Sequence, residues 1–236
     1  MLFRSALNIE SNDEREAYFK KFDSRRDNFY KPAAEQLKKY FEKERKKVLK
    51  KYKEQQTSAA IDDALNETKK DLTKTLTAIY LTVIEDFGRA VFRQIVNDAK
   101  SQGINLETKE GIPGEDLDFE LYNFFIQEFI GETVAEKVVA VSRYTRELLK
   151  HDISNGLEYG ETIDEIAERI DKRYLEQIIP NRSVVIARTE VIGASNFASQ
   201  AAATETGLDL EKEWLSTPDS RTRKDHRDAD GQKRPL

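Results

Sequence analysis

The residues best equipped for chemistry lie in EWLSTPDSRTRKDHRDADGQ, residues 213–232. The stretch holds the only Trp, Trp214, and one of the two His, His226, among interleaved Asp and Arg. His226, Asp228 and Asp230 follow at steps of two, with Gly231 next. That spacing suits the front half of a calcium loop, which takes ligands from alternate positions and needs Gly for its turn. The match ends there. His stands where the loop requires Asp, and the closing bidentate Glu would fall one position past Leu236. Arg221, Arg223, Lys224 and Arg227 would also repel a cation. Ser216 or Ser220 with His226 could form a nucleophile and base, but no strand–turn–helix nucleophile motif surrounds them. His151, between Lys150 and Asp152 on a predicted helix, reads as a surface residue.

A polar cluster that fastens its own loop fits these residue types better. Asp219, after Thr217-Pro218, can close a turn onto the following amides. Arg221 and Arg223 offer guanidinium forks, which pair with carboxylates in bidentate fashion. Glu190 lies one turn from Ala187, Val191 and Ala194, the expected buried side of its helix. A carboxylate there needs a partner, so Glu190 is expected to pair with Arg221 or Arg223. Trp214 is expected to be buried over this cluster, on the Arg188–Asn196 helix near Val191 or Ser195.

The elements that must position these residues are mostly helical. With 38% hydrophobic and 35% charged residues, the 236-residue chain leans toward exposed helices. From about Asp13 to Gln56 the pattern is helical, and Pro32 suits the first turn of a new helix. Leu37, Phe41, Glu44, Val48 and Tyr52 then form a narrow seam at helical spacing. Lys38, Lys39, Lys43, Lys46, Lys47, Lys50 and Lys53 occupy the other faces. They could neutralise phosphates non-specifically, although a solvated face explains them more simply. Residues 31–56 carry ten Lys or Arg against four Glu, and residues 102–136 carry nine acids against one Lys. Such asymmetry suits two surfaces with different partners, or surfaces that face each other across subunits.

A second long helix spans 61–100, with coiled-coil-like steps from Leu65 through Leu72 to Ile79. Both long helices have narrow seams, so an elongated N-terminal part is expected. Residues 101–118 are rich in Gly and turn-forming acids and read as a linker. It separates a long-helix arm or bundle, 1–100, from a second domain, 119–236. In the latter, Thr162 and Glu165 make a capping box, Pro180 to Ser183 marks a helix start, and Gly207 a C-cap. LDLEKEWLST, 208–217, reads as a strand whose partners are not evident, and strands completing it are expected beyond Leu236. The fold class is therefore mainly α with a small α+β C-terminal module. There is no Cys, so thiolate metal sites and disulfides are excluded. The dispersed Gly form no phosphate loop. No cofactor and no enzymatic activity are expected. No window is apolar enough for a membrane span.

ARTEVIGASN, a Gly-ended helix and KEWLSTPDSRTRKDHRDADGQ together resemble the phage Mu F-like minor head (head morphogenesis) family of tailed phages. The matching residues are Arg188, Thr189, Glu190, Asn196, Gly207, Trp214, Asp219, Arg221 or Arg223, His226, Asp230 and Gly231. GLEYGETIDEIAERI upstream extends the resemblance to about 145–236. It implies a virion component inside the capsid, associated with the portal protein, other head proteins and double-stranded DNA during packaging, retention or delivery. It implies oligomers on the portal, host cytoplasm during assembly, and no established catalytic mechanism. Under it, Arg188, Asn196, His226 and Asp230 join the structural cluster. The rival readings are a metal-dependent hydrolase or nuclease using His226, Asp228 and Asp230, and a DNA-binding arm using the lysine-rich helix.

Overall fold

The computed structural model describes residues 2–3, 12–104, 119–216 and 222–236. In chain order the elements are β1 (Leu2–Phe3), α1 (Asn12–Gln55), α2 (Ala59–Ser101), α3 (Phe119–Glu158) and α4 (Ile163–Arg173). A π-helix (Tyr174–Arg182), α5 (Ser183–Glu205), β2 (Glu211–Glu213), α6 (Lys224–Ala229) and β3 (Lys233–Pro235) follow. The protein is mainly α, with long N-terminal helices and a small C-terminal sheet. No described helix is long and apolar enough to cross a membrane.

The helices divide into two compact units. Unit 1 takes residues 1–28, 81–127 and 192–236; unit 2 takes 29–80 and 128–191. Each unit thus draws on both sides of the segment 101–118, of which 105–118 lie outside the described residues. In unit 2 the seam of α1 is sealed: Leu37, Phe41 and Val48 are fully buried beside Tyr52. Leu65 and Leu72 of α2 and Ile166 and Ile170 of α4 are buried with them. Unit 1 buries Tyr18, Phe22, Phe87, Val91 and Ile95, with small residues of α5 such as Ala198 and Ala202.

Two expectations about prolines are corrected. Pro32 does not open a new helix; α1 runs through it. An interior Pro costs about 3 kcal/mol, and burial of apolar residues before it (Tyr18, Phe22) and after it (Ala33, Leu37) opposes that loss. Pro180 likewise lies within helix, in the π-helix that joins α4 to α5 without a break. An α-helical residue 180 would donate to the Glu176 carbonyl, and Pro has no N–H to give. Asn181 Nδ2 reaches that carbonyl at 3.2 Å instead.

The other end signals hold. Thr162 and Glu165 form the reciprocal capping box of α4. Gly207, at φ +66°, follows the last turn of α5 and donates to Thr204 O. At Gly156 of α3 an added β-carbon would meet Ile166 of α4 at 2.5 Å, so only Gly permits that approach.

The sheet has the order β1-β2-β3, with both pairs antiparallel. Leu2 is opposite Glu213, and Lys212 is opposite Arg234. The strand expected within 208–217 is present, and both its neighbours, β1 and β3, lie within residues 1–236. Two-residue and three-residue partners are too short for an alternation pattern to disclose them.

Candidate functional site

In unit 1, β2 and the turn after α6 are fastened by one arginine, Arg15. β2 turns the Glu213 carboxylate inward, where its side chain is 1% exposed. Arg15 of α1 meets it with Nε at 2.8 Å and meets Asp230 with Nη2 at 3.2 Å. The second Asp230 oxygen accepts from the Ser216 amide at 2.8 Å. Backbone bonds from Trp214 N to Gln232 O and from Gly231 N to Trp214 O, both 2.9 Å, close the same turn. Gly231 takes φ +79°, a conformation that favours Gly. Beside it, Arg26 of α1 donates to Ser195 Oγ at 2.8 Å and to Asn196 Oδ1 at 2.7 Å.

Trp214 is not buried. It is 44% exposed, and its ring meets the edge of His226, with centroids 5.9 Å apart. The calcium-loop spacing has a different origin. His226 and Asp228 belong to the six-residue helix α6, where positions two apart point to different sides. Asp230, past the end of that helix, is held by Arg15 and Ser216. No group of three or more potential metal ligands occurs among the described residues.

Glu190 belongs to unit 2. Its carboxylate accepts from Tyr80 Oη of α2 and lies 3.4 Å from Lys137 Nζ of α3. Burial and the nearby carboxylate together push the Tyr80 phenol well above its usual range. Arg188 is exposed and lies over the Tyr30 ring at 5.4 Å. Arg223 is exposed at the start of α6. Asp219 and Arg221 lie outside the described residues. Arg188 and Glu190 belong to unit 2, and Asn196, Trp214, Arg223, His226 and Asp230 to unit 1.

A second buried carboxylate in unit 2 was overlooked as a site residue. Glu44 is fully buried on the apolar seam of α1. It accepts from Tyr40 Oη, one turn earlier, and from Tyr174 Oη of the π-helix at 2.9 Å. Burial pushes its carboxyl up to about 6, against the two phenol donors and the Arg182 charge, which favour the ionised form. Arg182 spends its own donors on Thr145 Oγ1 and Val141 O of α3 and lies over the Tyr144 ring at 4.6 Å. Desolvation lowers its pKa. The signal was present in the sequence: a single Glu between Phe41 and Val48, on a stripe otherwise apolar.

The lysine-rich face of α1 is largely answered within unit 2. Lys43 pairs with Asp71, Lys47 and Lys51 with Glu67, Lys53 with Asp164, Lys38 with Glu35 and Lys50 with Glu54. Glu67, held by two lysines, has its carboxyl lowered to about 2. Lys39 and Lys46 are exposed without an ion pair among the described residues. Asp71 and Glu67 of α2 answer three of these lysines, Lys43, Lys47 and Lys51.

These arrangements hold chain segments together. The carboxylates in them are occupied by arginines, lysines or phenols. Residues 147–236 match the family described as Phage Mu protein F like protein. Searches of curated proteins and of solved structures each return no match. The 90-residue match is a distant relation confined to that segment, and it supports a structural, viral role.

Proposed function

We propose that this protein is a minor capsid or head morphogenesis protein of a tailed phage. In this reading it binds the portal protein and the capsid interior and assists packaging, retention or delivery of DNA. The observation that carries the reading is the match of residues 147–236 to the Mu F-like family. The local chemistry agrees with it. Glu213, Glu190, Asp230 and Asn196 are engaged in contacts that fix segments distant in sequence, which suits a part that must keep its shape in an assembly.

The test is co-expression with the tagged portal protein of the same phage. Retention of the protein on the portal through a size-exclusion step is expected. Clean separation of the two at every ionic strength would remove the portal from the reading. Chelator-sensitive cleavage of DNA, abolished by His226→Ala, would replace it with the hydrolase reading.

A further inference from the structure

The small sheet of unit 1 turns one of its faces to solvent. Side chains alternate along a strand. Glu213 turns inward to Arg15, so its neighbours Lys212 and Trp214 occupy the other face. Arg234 is opposite Lys212 on β3 and shares that face. Trp214 continues the pairing past the end of β2, since its amide donates to Gln232 O at 2.9 Å. Trp214 and Arg234 are exposed, and Lys212 is half-buried.

The two cations stand side by side without a counter-charge. Like charges directly opposite each other destabilise a strand pair, yet neither Lys212 nor Arg234 has an ion pair among the described residues. The nearby carboxylates are directed elsewhere. Glu211 and Glu213 alternate with Lys212 and belong to the opposite face. Asp225 and Asp228 of α6 stand one and two positions from His226, whose ring meets Trp214, and such positions do not share a helix side. The Trp214 and His226 rings lie at 82° to each other. A perpendicular contact covers at most one face of the indole, so the imidazole leaves the other clear.

We propose that this face binds a single strand of nucleic acid, with Lys212 and Arg234 on backbone phosphates and a base stacked on Trp214. A polyanion relieves the opposed cations, and guanidinium forks match phosphate geometry. Among the described side chains Trp214 is the one large hydrophobic residue exposed on this face. A protein partner would need an apolar centre to its interface, whereas a single strand needs a π surface and cations, which are what the face offers. A duplex keeps its bases stacked on one another and cannot supply the same contact. The surface goes beyond the portal reading and does not rest on it.

The experiment uses the full chain and a labelled, mixed-sequence DNA strand of about ten nucleotides. Binding is followed by anisotropy at two salt concentrations, and Trp214 emission is read in the same titration. Trp214 is the only Trp, so its quenching reports stacking directly. Saturable binding with quenching is expected, tighter than that of the same sequence as a duplex. Trp214→Leu is expected to weaken single-strand binding about tenfold, while Trp214→Phe keeps most of it. Arg234→Gln is expected to reduce the slope of log affinity against log salt by about one. Lys46→Gln, on the lysine-rich face of unit 2, is expected to bind as the parent does. Circular dichroism establishes that each variant is folded. Equal affinity for duplex and single strand, or binding without quenching, overturns the stacking site. Polyglutamate bound as tightly as the strand makes the face a general anion or protein surface and overturns it too. So does absence of binding at low salt, or unchanged binding in the folded Lys212→Gln/Arg234→Gln double variant.

Discussion

The two units bury carboxylates by different chemistry. In unit 1, Glu213 is held by the guanidinium of Arg15, a permanent charge. In unit 2, Glu44 is held by the phenols of Tyr40 and Tyr174, while the nearby Arg182 gives its donors to other groups. The arginine that holds Glu213 keeps its charge at every pH at which the protein is folded. A carboxylate gripped by neutral donors can also be discharged by a proton, because burial already works against its ionised form. The contrast predicts that unit 1 is sensitive to loss of one cation and unit 2 to pH.

The largest effect is expected from Arg15→Met. It takes the guanidinium away from buried Glu213 and leaves Asp230 with the Ser216 amide, at a cost of about 3 kcal/mol. Urea unfolding followed by Trp214 fluorescence reports it, since Trp214 lies in the turn that Arg15 fastens. A loss below about 1 kcal/mol would place the pair among ordinary surface bridges and end the contrast.

Next comes the proton dependence of unit 2. The folded-state pKa of Glu44, about 6, lies above the ordinary value of 4.5. The folded unit therefore binds this proton more tightly than the unfolded chain does. The resulting stabilisation is fully present below about pH 4.5 and is lost as pH rises through about 6, and it amounts to about 2 kcal/mol. Urea midpoints of the parent and of Glu44→Gln, compared at about pH 5 and about pH 7.5, isolate this contribution. Equal pH dependence in the two proteins would show that Glu44 is not the group responsible.

Thr162→Ala removes half of an exposed capping box and is expected to cost about 1 kcal/mol. Hydrogen exchange should show the loss first in the opening turn of α4. Uniform loss across α4 and α1 would instead mean that the cap supports the Glu44 region as a whole. The smallest effect belongs to Lys46→Gln. An exposed lysine without an ion pair among the described residues should change stability by less than about 0.5 kcal/mol. A larger change would mean that the lysine-rich face contributes to unit 2 beyond its visible pairs.

Local signals in the sequence served well where the partner lay within one turn. The Thr162–Glu165 box, the Gly207 cap and the strand at Glu211–Glu213 were readable because their partners are adjacent or their pattern is short-range. Glu44 was visible on its stripe, although nothing local pointed to Tyr174 as its donor. Around 213–232, Asp230 meets Arg15, and Asn196 on α5 meets Arg26, neither of which the local spacing points to. Arg15 and Arg26 come from the other end of the chain, where no spacing rule relates them to their partners. Glu190 was read correctly as a buried carboxylate needing company. Its company is Tyr80 and Lys137 on two other helices. Trp214 was misjudged because apolar character sets an average preference for burial and does not decide a single position.

The pairing of Leu2–Phe3 with Lys212–Glu213 also bears on the order in which the chain matures during synthesis. Every residue of unit 2 has been made once Val191 is added, whereas unit 1 still awaits residues 192–236. Those residues take a few seconds to synthesise, at roughly 5–20 per second. Unit 2 can therefore begin to fold on the ribosome while the N-terminal strand and the first turns of α1 wait for β2. Contacts between such distant segments form slowly. Until then, Arg15 has no Glu213 to hold, and Arg26 has no Ser195 or Asn196 to meet. A released chain that ends at Val191 should accordingly protect the Glu44 region from protease and leave residues 12–28 open to cleavage.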